Sequence, residues 1–237
     1  MWGRFTTAAL AGLMLNGLAA CSDGRFPDYR YRITIYAQGE AYSSVRQIRQ
    51  REIFSMQDSS GRKVETSMNG QAVIMDLPDG RKVYATLVGK DSPEQAKYIP
   101  RVALLPKGYK RPNLPNMLDG ISAEQKAIIG TVGSRDLPRT VTYNPLHRED
   151  YSPEITWPLF ASFDDPSDWT TIHTVDPEDI GVNRITIEIT DEPVTTGIEA
   201  VITKPGNGPR FKQWQRSLKV HDDRISIIGA FFERDAK

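Results

Sequence analysis

The amino-acid sequence predicts an α+β fold, mostly antiparallel β with a few short helices. Three observations carry this expectation. Residues 29–37 and 184–190 alternate apolar and polar side chains, the period of a strand with one buried face. Pro78-Asp79-Gly80 stands between two further alternating runs; its proline presets one φ and its glycine accepts a positive one, which makes a tight reversal. Ser92 and Ser122 are each followed three residues later by a glutamine, Gln95 and Gln125, the capping box that opens a helix.

Taken in order, the first strand puts Tyr31, Ile33 and Ile35 on one face and Arg30, Arg32 and Thr34 on the other. A turn at Gln38-Gly39-Glu40 leads into residues 41–54. There the spacing of Val45, Ile48 and Ile53 would also permit a helix, but Ser43-Ser44-Val45 and the chance to pair across Gly39 favour a second strand. A third is expected over 62–67, closed by Asn69-Gly70 as a type I′ hairpin turn. Residues 71–77 and 81–88 form the hairpin around Pro78, with Val73, Met75 and Leu77 facing Val83, Ala85 and Leu87.

A helix should follow, with Ser92 as cap, Pro93 in the first helical position and a stop or kink at Pro100. The proline-rich, basic connection 106–115 leads to a short helix over 123–129. A sub-boundary within 106–120 is one reading of an otherwise single domain, 29–237. Residues 137–157 read as irregular, with Tyr143, His147, Tyr151 and Trp157 and an extended piece at 139–143. Residues 162–168 read as an acidic loop, and Asp176-Pro177-Glu178-Asp179 as the cap and first turn of a helix. After the 184–190 strand, a helical turn over 197–202, a Gly/Pro loop over 204–209 and a terminal hairpin turning at His221-Asp222-Asp223 complete the chain. Sixteen prolines and eighteen glycines are spread evenly enough to mark turns rather than a disordered tract.

The first residues carry an address. Residues 1–4 are short and positive through Arg4. Residues 5–18 are mostly apolar, centred on Leu10, Leu13, Met14 and Leu15 and interrupted at Asn16. Ala19, Ala20 and Cys21, the single cysteine, come next. Charged, apolar, then small is the order of a secretory signal, and the apolar run falls short of the roughly 20 residues that span a bilayer. No later apolar run approaches that length, so no transmembrane span is expected after it.

Leu18-Ala19-Ala20-Cys21 resembles the lipobox of bacterial lipoproteins. The resemblance implies that residues 1–20 are a signal peptide cut between Ala20 and Cys21. It also implies that Cys21 carries a diacylglyceryl group and a further acyl chain such as palmitate, and that residues 21–28 form a lipidated tether ahead of a periplasmic domain. Two or more chains hold a protein to a bilayer stably. Ser22 after the cysteine implies the outer membrane rather than the inner one. Read from the residues alone, an ordinary signal peptide with an incidental cysteine, or an uncleaved anchor, remain alternatives.

Composition narrows the partners. Lys+Arg and Asp+Glu number 30 each, without the basic excess of a nucleic-acid binder. With one cysteine, no disulfide forms within the chain. The histidines are His147, His173 and His221. His173 lies among Asp164, Asp165, Asp168 and Asp176, which makes a hydrolase or metal-dependent enzyme the alternative function. The competing reading is a solvated acidic loop with Asp168 and Asp176 as caps, since the alternating ligands and turn glycine of a calcium loop are missing. There is no Gly-x-Ser-x-Gly elbow, and Ser134, beside Gly130 and Gly133, lacks the Gly-Lys-Ser/Thr ending of a phosphate loop. No catalytic residue, metal ligand or cofactor is assigned.

Lys204, Arg210, Lys212, Arg216 and Lys219 surround Phe211 and Trp214. Lys204, Arg210, Lys212, Trp214 and Arg216 are the candidate contacts for an anionic envelope polymer or lipid headgroup, although such cations also ring a half-buried tryptophan. Residues 187–197 resemble runs in bacterial envelope proteins of unassigned function. The expected function is a lipid-anchored envelope protein acting by binding or as a structural component, with protein partners unspecified.

Overall fold

The computed structural model describes residues 25–54, 61–90, 94–107, 109–112, 114, 116–141, 154–198, 201–202, 209–218, 224 and 233–234. Its amino-terminal half runs β1 (Tyr29–Ala37), β2 (Glu40–Phe54), β3 (Arg62–Gln71), β4 (Val73–Asp76) and β5 (Lys82–Gly89). Helices α1 (Gln95–Leu104) and α2 (Met117–Ile129) come next, followed by β6 (Arg135–Asp136), β7 (Thr140–Val141), β8 (Glu154–Ile155) and β9 (Pro158–Phe163). A 3₁₀ turn (Trp169–Thr171), β10 (Ile172–Val175), β11 (Val182–Ile189), α3 (Pro209–Ser217) and β12 (Glu233–Arg234) complete the order. The fold is mostly antiparallel β with three short helices. Among the described residues no helix is long and apolar enough to cross a membrane.

The alternation in β1 becomes burial: Tyr29, Tyr31, Ile33, Ile35 and Ala37 are buried while their neighbours are half-buried. Gln38 and Gly39 both take positive φ, 51° and 86°, the two-residue type I′ loop whose twist suits an antiparallel hairpin, so Ala37 faces Glu40. The larger sheet has the order β12-β3-β2-β1-β11-β6, the smaller β10-β9-β5-β4, and β7 pairs with β8. One core fills the space between the inner faces of the two larger sheets, with Ile33, Ile35, Ile185 and Ile187 from one and Val73, Met75, Val83, Ala85 and Leu87 from the other. Leu104, Leu105 and Ile128 join it, so residues on both sides of the 106–120 connection share that core. The back of the smaller sheet carries a second cluster, in which Tyr84, Ala161, Phe163 and Trp169 meet Ile198 and Ile202.

Helix α1 lies across both sheets, touching β3, β5 and β11. Of the stop or kink expected at Pro100, the stop does not occur: the helix continues through it to Leu104. A proline at 100 removes the donor that the Ala96 carbonyl would otherwise receive. The Tyr31 hydroxyl takes that place, donating to Ala96 O at 2.7 Å. Tyr31 is fully buried, and burial pushes its phenol above its ordinary pKa while Arg46, its cross-strand partner, pulls the other way. Arg46 is itself fully buried and donates from Nε to the Gln71 carbonyl at 3.2 Å.

Several expected boundaries move. Asn69-Gly70 is not a hairpin turn: β3 runs through both to Gln71, and the chain passes Ala72 straight into β4 of the other sheet. Gly70 is needed there for room, because a Cβ would stand 3.1 Å from Arg46 Cα on a backbone with φ +145°. Ser92, the expected cap, lies outside the described residues. The helix begins after Glu94, and the Gln95 amide turns inward to donate to the carbonyls of Ile155 (2.9 Å) and Trp157 (3.3 Å).

Helix α2 starts six residues earlier than expected, with Asn116 Oδ1 accepting from Leu118 N at 3.0 Å. Ser122, the expected cap, instead donates to Arg25 O. Glu124 joins the helices: it forms an ion pair with Arg101 of α1 at 3.0 Å and accepts from Arg111 Nε at 3.0 Å. The 176–179 segment is a turn closed by Gly181 N to Glu178 O, not a helix. Phe26 is 0 % exposed and Asp28 pairs with Arg49 and Arg51, so both residues belong to the folded body. Strand β8 falls in the stretch read as irregular, the end of β9 enters the one read as an acidic loop, and β10 follows it. The terminal hairpin turn at 221–223 lies outside the described residues.

Tyr31→Phe should lower stability by about 1–3 kcal/mol, the usual cost of leaving a buried acceptor unpaired, read as a lower urea midpoint with unchanged slope. Gly70→Ala should cost at least about as much, through strain at positive φ and the contact with Arg46; a melting temperature equal to that of the wild type would refute the close approach.

Candidate functional site

Polar chemistry gathers at three places. The first is the acidic segment after β9. Asp165 accepts from Ser167 N (2.8 Å) and Ser167 Oγ (2.7 Å). Asp168 accepts from Thr170 N at 3.0 Å and caps the 3₁₀ turn, as the sequence indicated. These bonds hold both carboxyls below the usual carboxylate range. Antiparallel pairing then sets His173 opposite Ser162.

His173 Nδ1 stands 3.6 Å from Asp164 Oδ1, with both side chains largely in water. The Ser162 hydroxyl donates to the Lys82 carbonyl at 2.8 Å, so its proton is directed away from the imidazole. An open hollow of about 230 Å³ lies beside them, bordered by Arg81, Ser162, His173, Thr174, Asp176 and Asp179. Of the four aspartates grouped with His173 by the sequence, Asp164 pairs with it and Asp176 borders the hollow, while Asp165 and Asp168 are taken up by turns. Among the described residues no three potential metal ligands converge. Arg81 was not foreseen at this place; its guanidinium donates to Asp79 and to Asp179 O, and holds the Asp79 carboxyl far below its ordinary range.

The second place is α3. Pro209 fits the first helical position, where its missing N–H is not needed. Phe211 and Trp214, three residues apart, share one face and dock on Trp169, with ring centroids 5.7 and 5.2 Å away in edge-on geometry. Arg210 reaches both Asp168 oxygens at 3.0 Å and lies 5.6 Å from the Trp169 ring centroid. Trp214 and Arg210 therefore hold the helix to the body. Lys212 and Arg216 are exposed and border, with Pro209 and Gln213, a second open hollow of about 380 Å³. Lys204, like Ala20, Cys21, His147 and His221, lies outside the described residues.

The third place went unnoticed in the sequence. Arg25 donates to Glu52 (3.2 Å) on β2 and to Asp119 (2.6 Å) on α2, tying the start of the folded part to both elements. Its position four residues after Cys21 was the available signal.

Fold and charge together define a two-sheet antiparallel β protein with a basic helix docked through aromatic rings. Compared with protein-family models, curated proteins and solved structures, the chain matches none.

Asp168 gives a signed pH dependence. Its folded pKa is depressed, chiefly by the Thr170 hydrogen bonds and further by Arg210. Its stabilisation is therefore full above the unfolded carboxylate value and is lost as pH falls through the lower folded value. Acidification should loosen α3 from Trp169 in that low window, read by tryptophan fluorescence. Asp168→Asn, which gives up the Arg210 ion pair, should show part of the change at neutral pH and lack the acid step.

Proposed function

We propose that this chain is a lipid-anchored bacterial envelope protein whose folded part acts by binding or as a structural component. The observation that carries the reading is the order of residues 1–21: a charged start, an apolar run, two alanines and then Cys21. Cleavage before Cys21 and acylation of its thiol and amino group would attach the chain to a membrane by lipid. Ser22 favours the outer membrane. The fold is in keeping with such a role, since its two sheets bury their own apolar faces and its surface near Arg25 begins four residues from the cysteine.

An anionic envelope polymer is the ligand class favoured by α3, where Lys212 and Arg216 project beside the hollow while Arg210 and Trp214 fasten the helix. The alternative, an anchored hydrolase or metal-dependent enzyme built on His173, has the Asp164 contact and the adjoining hollow in its favour.

Intact mass spectrometry of membrane-extracted protein tests the anchor. The expected mass is that of residues 21–237 plus acyl chains, and Cys21→Ala should abolish both processing and acylation. A wild-type mass equal to the uncleaved or the unacylated chain would overturn the proposal.

A further inference from the structure

The geometry points to the outer end of the β2–β3 hairpin, Phe54 with Arg62 and Lys63, as a second contact with the bilayer, resting on the anionic lipid surface to which Cys21 is attached. This inference rests on the lipid anchor proposed above and specifies which surface of the fold meets the membrane.

Direction and length argue for it together. From Tyr29 back to Arg25 the chain runs along β2 toward the end of the hairpin: Tyr29 faces Ile48, Asp28 pairs with Arg49 and Arg51, and Arg25 pairs with Glu52. Phe54 lies two residues beyond Glu52 in the same direction. Only four residues separate Arg25 from Cys21, a reach of at most about 14 Å. A bilayer holding the acyl chains of Cys21 is thus confined close to the hairpin's end.

Among the described residues, that end exposes one aromatic ring and two cations. Phe54 is 77 % exposed, an unusual state for a large apolar ring, and its ring lies against Gly61, where a Cβ would come within 3.2 Å of it. Arg62 is directly opposite Phe54, and Lys63 opposite Ile53; both basic side chains are exposed. Arg62 also pairs with Glu52 at 3.0 Å, a carboxylate it shares with Arg25. Aromatic rings settle at the boundary between water and hydrocarbon, and cations collect at an anionic leaflet. The other element that Arg25 binds presents a similar surface: Leu114, shortly before Asp119, is exposed, and Lys110 precedes it. Val132, also exposed, lies past the opposite end of α2.

Because Cys21 is the only cysteine and would be acylated, Phe54→Cys introduces a single free thiol for a nitroxide label. The full acylated chain, its acylation confirmed by mass, would be reconstituted into vesicles of phosphatidylethanolamine with a minority of phosphatidylglycerol. Collision with oxygen, relative to a water-soluble nickel complex, would be compared between a label at residue 54 and one introduced by Val132→Cys. The expected result is a several-fold higher oxygen-to-nickel ratio at 54 than at 132, and a reduced ratio at 54 when phosphatidylglycerol is omitted. Equal, water-like ratios at both sites in acylated protein would overturn the hairpin contact and leave the anchor intact. A label at 54 shielded from both reagents would also overturn it, in favour of a protein contact. A preparation without acyl chains on Cys21 would sink the anchor, and this contact with it.

Discussion

The hydrogen bond from the Tyr31 hydroxyl to the Ala96 carbonyl holds the architecture at its most exposed weakness. A proline in the middle of α1 frees a backbone acceptor inside the core, and an unpaired carbonyl there costs more than an ordinary bond gains. Tyr31 comes from β1, the central strand of the larger sheet, so the repair also fixes α1 across both sheets. Around it the sequence makes matching concessions: Arg46 is buried opposite Tyr31, and Gly70 gives up its side chain to make room for Arg46. The proline thus leaves the Tyr31 hydroxyl an acceptor, while Arg46 and Gly70 account for each other.

Much of the fold was legible because it follows local rules. Burial in β1 alternates as the apolar residues do, the Gln38-Gly39 and Pro78-Asp79-Gly80 turns fall where their residues place them, and Asp168 caps the turn that its side chain suits. The failures have a common physical origin in partners distant along the chain. Pro100 reads as a stop or kink because the hydroxyl that replaces its missing donor comes from Tyr31, 65 residues before the Ala96 acceptor. Asn69-Gly70 reads as a turn because the need for a glycine arises from Arg46, on a neighbouring strand. Strand β9 buries both faces and so shows no alternation. Helix α2 is the exception: it begins earlier than its capping box because Asn116, a local residue, caps it.

The candidate sites divide in the same way. Grouping His173 with four aspartates by sequence proximity gathered residues that the fold uses for separate tasks, leaving one near partner and one neighbour across a hollow. The basic segment was recognisable, but its internal division was not. Arg210 and Trp214 fasten α3 through Asp168 and Trp169, more than forty residues earlier, while Lys212 and Arg216 face outward. Arg25 was overlooked because a lone arginine after a signal has no pattern; its meaning comes from Glu52 and Asp119.

Strand β1 is both the first strand of the described fold and the middle one of its sheet, with β2 on one side and β11 on the other along nearly its whole length. A pull delivered from the amino-terminal side is therefore directed along β1. The load falls on two ladders of hydrogen bonds at once, in shear, instead of peeling them one by one from an edge. The ion pairs at Arg25 and Asp28 stand ahead of those ladders and would give way first. They act as a mechanical fuse in series with a clamp.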